Sequence, residues 1–164
     1  MSDQYDRLQP PFIISSIRSM PRRWEQALRV QPPKNIEDFY TLEGSSGQSA
    51  ASDVGAALEQ VRVLTDAIRT TSYNDPEALG SEVEAAMSDS GSGPWPASAA
   101  EALEHIESLM DTLGDRLEAL HSRDWAKRAR TPSGDVSIEQ LGQATTRVLA
   151  TRLSRVERTI REVS

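Results

Sequence analysis

Four stretches of the chain repeat apolar residues at intervals of three or four, which is the spacing of one face of an α-helix. These stretches cover residues 11–30, 50–70, 98–120 and 137–163. Their stripes, in the same order, are Ile13, Ile17, Met20, Trp24, Ala27 and Leu28; Val54, Leu58, Val61, Thr65 and Ile68; Leu103, Ile106, Met110, Leu113, Leu117 and Leu120; and Ile138, Leu141, Thr145, Arg152, Val156 and Val163. Because helices with one apolar face bury it by packing together, the pattern predicts an all-α four-helix bundle.

Polar residues indicate where these helices begin and how they are joined. Ser98 with Glu101, and Ser137 with Gln140, have the spacing of capping boxes at the third and fourth helices. The connection 31–48 contains prolines and glycines, and the connection 71–97 is predicted to hold a short extra helix from Glu77 to Met87. Both connections are long enough for a crossover between helices. Trp95 stands between two prolines in the second connection, and we expect it to pin that loop to the bundle; the alternatives are that it covers a pocket or enters a dimer contact.

Length and composition exclude several classes of protein. A chain of 164 residues predicts one domain over 1–164, with residues 1–10 flexible. Cysteine is absent and His105 and His121 are the only histidines, which excludes disulfides, thiolate metal sites and a three-histidine metal site within one chain. No apolar run is long enough to span a bilayer, and the N-terminus is too polar for a secretory signal. We therefore expect a cytoplasmic protein.

Charge is distributed unevenly along the chain. Residues 1–34 carry a net charge of +3, residues 35–121 carry −14, and residues 122–164 carry +4. An acidic middle segment argues against a general nucleic-acid binder, which would need a strong positive field. The pattern favours oppositely charged helices that lie side by side, while a basic partner for the acidic segment is the alternative interpretation.

A run of residues between the last two predicted helices carries a family resemblance. Asp124-Trp125 is followed by Thr131-Pro132-Ser133-Gly134-Asp135-Val136-Ser137, and then by a long helix. This arrangement resembles the DinB family of four-helix bundles, which includes mycothiol-dependent maleylpyruvate isomerases and bacillithiol S-transferases. In physical terms, Trp125 would plug the end of the bundle, Gly134 would supply the turn and Ser137 would cap the last helix. The resemblance is strongest over residues 98–164.

The family's chemistry depends on a metal held by three histidines, one on the second helix and two on the last. The resemblance places these positions at Ala57, Val148 and Arg152 in this sequence. None of the three side chains offers a lone pair to a cation. The resemblance therefore implies a bundle that has lost the metal centre of its relatives, and no cofactor is predicted.

Polar residues that interrupt the apolar stripes are the remaining candidates for a binding site. Arg152 is predicted to point inward, where it would pair with an acid on a neighbouring helix, extend its guanidinium to the end of the bundle, or hold an anionic ligand. Thr145 and Thr65 would bond to carbonyls of their own helices, or form a small polar pocket with Arg152. His105 is predicted to be a solvated surface residue, and His121 to interact with the carbonyls at the end of the third helix.

These observations lead to two hypotheses about function. The first is a metal-free, non-catalytic DinB-like bundle that acts as a binding or interaction module, with a small-molecule or protein partner and neither nucleic acid nor membrane. The alternative is a mycothiol-type thiol-dependent transferase or isomerase with a diverged site. The resemblance also implies a homodimer.

Overall fold

A computed structural model describes residues 4–29, 34–73, 77–88 and 90–164 of the chain. Its α-helices are α1 (Pro10–Ala27), α2 (Ala50–Tyr73), α3 (Ser81–Met87), α4 (Ala99–Glu118) and α5 (Ile138–Val163). The helices α1, α2, α4 and α5 are the four that the apolar stripes predict, and α3 lies in the connection between α2 and α4. Three predicted features lie wholly or partly outside the described residues: the start of flexible segment 1–10, the Pro32-Pro33 connection and the end of the first helix at Val30.

Side-chain hydrogen bonds define the starts of the last two long helices. Ser98 Oγ accepts from the backbone N–H of Glu101 at 3.1 Å, but the Glu101 carboxylate accepts from Ala97 instead of completing the predicted capping box. At the start of α5 the predicted box is complete, because Ser137 and Gln140 each accept from the other's backbone N–H. Each contact satisfies a backbone N–H that the first turn of a helix leaves without an intrahelical partner.

The order of the helices around the bundle differs from that of a simple up-and-down bundle. The helix α2 packs mainly on α5, and α1 packs mainly on α4 and α5; α2 also contacts α4. Helices α1 and α2 are consecutive long helices of the chain, yet they therefore lie diagonally across the bundle. The long connections that the sequence contains allow this crossover.

A small three-stranded sheet is attached to one side of the bundle. Its strands are β1 (Glu77–Ala78), β2 (Arg128–Thr131) and β3 (Gly134–Ser137), in the order β1-β2-β3. The pair β1–β2 is parallel and the pair β2–β3 is antiparallel. The predicted helix from Glu77 to Met87 is therefore wrong in its first four residues, because β1 pairs with a strand about fifty residues away and the helix α3 begins only at Ser81.

The β2–β3 hairpin and the residues before it close one end of the bundle. Gly134 has a φ of +137°, which a residue with a side chain rarely adopts, so it supplies the predicted turn. Trp125 is buried, and a Cβ atom on Gly142 of α5 would lie 3.6 Å from its ring. Trp125 therefore fills the end of the bundle as the sequence predicts. None of the helices in the described ranges is long and apolar enough to cross a membrane.

Candidate functional site

A buried ion pair joins the first turn of α2 to the middle of α5. Nη1 of Arg152 lies 2.9 Å from Oδ1 of Asp53, and the two side chains are only 7% and 3% exposed. Each charge would be costly to bury alone, because the protein interior cannot replace the water that solvates it. The structure therefore confirms the interpretation in which inward-pointing Arg152 pairs with an acid on a neighbouring helix.

A buried amide extends this ion pair to the segment that follows α3. The Arg152 Nε donates to Oε1 of Gln60 at 3.0 Å. The Nε2 of Gln60 in turn lies within hydrogen-bonding distance of the carbonyl oxygens of Ala86 at 3.1 Å, Ser88 at 2.8 Å and Ser90 at 3.3 Å. We call Asp53, Gln60 and Arg152 the polar cluster. It links two long helices and one loop, so its members fix one another's side-chain positions.

The backbone of residues 90–94 covers the polar cluster from outside. The carbonyl oxygen of Gly91 lies 3.4 Å from Nη2 of Arg152. A Cβ atom on Gly55 of α2 would lie 2.5 Å from the carbonyl oxygen of Gly93, and a Cβ on Gly93 would lie 2.8 Å from that of Gly55. The two glycines therefore allow the loop backbone to touch the helix backbone. This contact closes the space over the cluster.

The three positions that the resemblance assigns to metal ligands lie at or beside this cluster. Ala57 is buried on α2, one turn after Asp53 and about one turn before Gln60, so the three residues share a face of the helix. Val148 is buried one turn before Arg152 on α5. Alanine and valine have no donor atom for a cation, and a guanidinium has hydrogen-bond donors only. These residues do not fit a bound metal ion, and the described part of the chain holds no group of three or more His, Asp or Glu residues placed to bind one.

Of the two threonines predicted to accompany Arg152, Thr145 makes the predicted bond to its own helix and Thr65 does not. Thr145 is fully buried, and its Oγ1 donates to the carbonyl of Leu141 at 2.8 Å, one turn earlier on the same helix. Thr65 is half-buried, and its Oγ1 is buried without a hydrogen-bond partner among the described residues. The contacts described for Arg152 are to Asp53, Gln60 and Gly91, and they include neither threonine. A ligand-binding role for the three residues therefore stays a prediction.

Asp53 and Gln60 are the members of the polar cluster that sequence reasoning missed. Both lie on the buried face of α2, with Asp53 one turn before Ala57. A carboxylate in the first turn of a helix is favoured by the helix dipole alone, so Asp53 gives no sequence signal of a buried partner. A signal did exist in combination: an inward arginine on α5 requires an acid on a facing helix, and Asp53 is the acid that lies one turn from Ala57 on the same face of α2.

The other singled-out residues occupy surface or core positions. His105 is exposed as predicted, and His121 is exposed with its backbone N–H donating to the Asp124 carboxylate at 2.8 Å. Trp24 is fully buried in the core. The prediction for Trp95 is wrong, because its side chain is 50% exposed and the neighbouring Pro96 is buried instead.

Acidic side chains of α4 are paired with a basic side chain of the same chain. Arg18 of α1 reaches Asp115 at 2.7 Å and Glu118 at 3.0 Å. A Cβ on Gly114 would overlap the Arg18 guanidinium, so the absence of a side chain there makes room for it. The structure therefore confirms that oppositely charged helices lie side by side.

Comparison with known proteins supports the fold. One solved structure, YfiT from Bacillus subtilis, is described as a probable metal-dependent hydrolase with an unusual four-helix bundle topology. It is similar to this chain with a TM-score of 0.59 and 14% sequence identity, over 92% of this chain and 86% of YfiT. No family model matches the chain, and no curated protein matches its sequence. The chain thus has the DinB-like four-helix-bundle fold that the resemblance predicts, and the identity is too low for the comparison to show more than the fold.

Proposed function

We propose that this protein is a metal-free, non-catalytic DinB-like bundle that acts as a binding or interaction module. The observation that carries the proposal is the buried ion pair between Arg152 and Asp53. By the resemblance, Arg152 occupies the position of a metal-binding histidine, and its charge is already balanced by a carboxylate of the facing helix.

The electrostatics of the polar cluster oppose a divalent cation at this place. A cation bound beside Arg152 would meet a fixed positive charge in surroundings that screen charge poorly. The Asp53 carboxylate is the one acidic group of the cluster, and it would have to leave Arg152 in order to bind the ion. Separating a buried ion pair leaves an uncompensated buried charge, which costs about 3–5 kcal/mol. The cluster therefore supports a structural role in holding α2, α5 and the loop 90–94 together.

An anionic ligand at the same place would meet a similar competition. To contact Arg152 it would have to replace the Asp53 carboxylate and displace the loop backbone at Gly91 and Gly93. The hypothesis that Arg152, Thr145 and Thr65 bind a ligand thus requires the loop to open. A binding function on the surface of the folded bundle requires no such opening, and we therefore favour a surface function.

A metal titration tests the proposal against the alternative of a diverged thiol-dependent transferase or isomerase. Protein purified without a histidine tag and treated with EDTA is melted with and without one equivalent of Zn²⁺ or Ni²⁺, and YfiT serves as the comparison protein. We expect no change in Tm for this chain. A saturable rise of Tm at one ion per chain would contradict the proposal, and a further rise with a low-molecular-weight thiol would favour the alternative.

A further inference from the structure

Trp95 is a large apolar side chain that the fold leaves in water. It lies between two prolines in the segment that joins α3 to α4, and it is 50% exposed. The other two tryptophans, Trp24 and Trp125, are buried at 0% and 6% exposure. Burying an indole is strongly favourable, because its apolar area is among the largest of any side chain. An exposed tryptophan is therefore a candidate contact for a partner, since tryptophan is enriched among the residues that dominate protein interfaces.

The backbone on both sides of Trp95 is fixed to the bundle. Two residues before it, Gly93 touches the α2 backbone at Gly55. One residue after it, Pro96 is buried, and its carbonyl accepts from the buried hydroxyl of Tyr40 at 3.0 Å. A residue that precedes proline is restricted to extended conformations, which limits the backbone further. The indole thus points outward from a held backbone, so little conformational entropy is lost when a partner covers it.

Two carboxylates contact the backbone that follows Trp95. Oε2 of Glu101, in the first turn of α4, accepts from the N–H of Ala97 at 3.3 Å. The carboxylate of Glu37, in the connection between α1 and α2, accepts from the N–H of Ala99. The two acids come from different segments, and the fold brings both to within a few residues of the exposed indole.

The negative charges of these two carboxylates act on the same region. The pKa of the Tyr40 hydroxyl is raised first by burial and further by the charges of Glu37 and Glu101. The hydrogen bonds described for both carboxylates come from backbone N–H groups, which carry no net charge. Asp38, beside Glu37, and Glu104, one turn after Glu101, are further exposed acids. The surface around the indole is therefore acidic.

Basic side chains near Glu37 have other partners. Arg29 and Lys34 line the same groove as Glu37. Arg29 pairs with Glu25, and Lys34 donates to the backbone oxygen of Ser164 at 3.3 Å. The residues outside the described ranges include no lysine or arginine, so no basic side chain of theirs cancels the acidic charge. The charge of this surface is thus complementary to a basic partner.

We infer that Trp95, Glu37 and Glu101 form a docking surface for an arginine-rich segment of a partner protein. A guanidinium can stack on the face of an indole while its N–H groups pair with a carboxylate, so one arginine side chain uses both features of the surface. The inference rests on the proposed function and deepens it, since it names the class of partner that the interaction module binds.

Fluorescence quenching tests the charge around Trp95 directly. Trp95 is the most exposed of the three tryptophans, so a quencher in water reaches it first. We expect the ratio of caesium to iodide quenching to exceed that of free N-acetyltryptophanamide, because acidic surroundings attract a cation and repel an anion. The double variant Glu37→Gln, Glu101→Gln should lower this ratio, and its amides can still accept the backbone N–H groups. A wild-type ratio no higher than that of the free indole would overturn the inference.

Binding of a defined basic peptide tests the docking surface itself. The probe is a peptide of alternating arginine and glycine residues, followed by amide NMR at low ionic strength, where charges are screened least. Its copy with citrulline in place of arginine keeps the shape without the charge, and we expect only the arginine peptide to bind. We expect Trp95→Ala to weaken binding about fivefold, which is the size of one exposed cation–π contact. The double glutamine variant should weaken binding at least as much.

Two control variants remove an aromatic ring or a carboxylate elsewhere on the surface. Phe12→Ala removes an aromatic side chain of α1 that is 63% exposed, and Asp135→Asn removes an exposed carboxylate of the β2–β3 hairpin. We expect both controls to bind the arginine peptide as the wild-type protein does. Trp95 is exposed, so its substitution is not expected to prevent folding, and circular dichroism checks this.

Three results of the peptide experiment would overturn the inference: no binding of the arginine peptide, equal weakening by Trp95→Ala and Phe12→Ala, or equal binding of the citrulline peptide. Light scattering adds a fourth, because a dimer that is lost in Trp95→Ala would assign the surface to a second copy of this chain. Failure here is distinguishable from failure of the proposed function. Bound metal would contradict the metal-free module, whereas an unbound peptide would contradict only the class of partner.

Discussion

Arg152 and Asp53 place two opposite charges inside the bundle, where neither retains its water of hydration. Their mutual attraction offsets part of the desolvation cost, and the hydrogen bond from Arg152 to Gln60 offsets more of it. Such a pair adds little net stability compared with apolar residues of the same size. Removing one partner lowers the free energy of unfolding strongly, because the other charge then stays buried without compensation.

The substitution Arg152→Met therefore has a large expected effect. We expect a loss of about 3–5 kcal/mol in the free energy of unfolding, because Asp53 is left buried without its cation. Urea denaturation measures the loss. Arg62→Met is the control, since it removes an arginine from an exposed pair with Glu59, for which at most about 1 kcal/mol is expected. A loss from Arg152→Met no larger than that of the control would contradict a structural ion pair.

The double variant Asp53→Leu with Arg152→Met separates lost charge compensation from lost packing. With both charges replaced by apolar groups, no unpaired charge remains, and we expect the variant to recover most of the stability that Arg152→Met loses. The same urea experiment on the single variants Asp53→Leu and Arg152→Met and on the double variant gives the coupling free energy between the two sites. Additive losses would show that the two side chains do not depend on each other.

At the scale of elements, glycines determine how closely α2 approaches the loop that follows α3. Gly55 and Gly93 bring two backbones into contact over the polar cluster, and no other residue type leaves room for this contact. Gly114 of α4 has a different neighbour, because the atoms nearest to its absent side chain belong to the end of the flexible Arg18 side chain.

Two glycine-to-alanine substitutions therefore differ in their expected effect on stability. Alanine in a helix gains about 1 kcal/mol over glycine from its backbone preference. In Gly114→Ala, Arg18 can move aside at the cost of exposed ion pairs, so we expect stability within about 1 kcal/mol of wild type. In Gly55→Ala, backbone atoms must shift, and we expect a net loss of about 1–3 kcal/mol. Thermal unfolding ranks the two variants, and a Gly55→Ala protein at least as stable as Gly114→Ala would show that the loop does not press on α2.

The elements show which parts of this structure can be predicted from the sequence. Helices α1, α2, α4 and α5 follow from apolar stripes and local caps, which depend on neighbouring residues. The strand β1 does not, because residues 77 and 78 extend only by pairing with Ala129 and Arg130, far away in the chain. The need for an acid beside Arg152 could be predicted, because the position of Arg152 in the apolar stripe of α5 directs its charge into the bundle. Its identity as Asp53 depends on the packing of α2 against α5, which local patterns do not contain.

At the scale of the whole molecule, three carboxylates hold backbone segments in place, and two of them, Glu84 and Glu162, connect segments that are distant in the chain. Glu84 accepts from the backbone N–H of Ser133 at 2.6 Å, Asp124 accepts from that of His121, and Glu162 accepts from that of Ser45 at 2.9 Å. These hydrogen bonds stabilise the charged form, so the pKa of each carboxyl lies below its ordinary value. Glu84 fastens α3 to the hairpin, Glu162 fastens α5 to the α1–α2 connection, and Asp124 closes the local turn of residues 121–124 after α4.

The lowered pKa values predict sensitivity of the fold to acid. A carboxyl whose pKa is lower in the folded state contributes stability above its unfolded pKa, and this contribution is lost as the pH falls through the folded pKa. We expect the free energy of unfolding to decline as the pH falls below about 4.5, near the ordinary pKa of a glutamic acid. Denaturation at a series of pH values measures the decline. Glu84→Gln should reduce its slope, and an unchanged slope would contradict a role for this carboxylate.

The central claim is that an ion pair of the protein itself fills the interior position to which the resemblance assigns a metal ligand. Metal content per chain, measured by mass spectrometry on untagged protein after equilibration with Zn²⁺ and gel filtration, tests it most directly. The triple variant Ala57→His, Val148→His, Arg152→His serves as the comparison. We predict no retained zinc in the wild-type protein and about one zinc per chain in the variant, which supplies three imidazoles. Stoichiometric zinc in the wild-type protein would contradict the claim, and zinc in neither protein would contradict the assignment of the three positions.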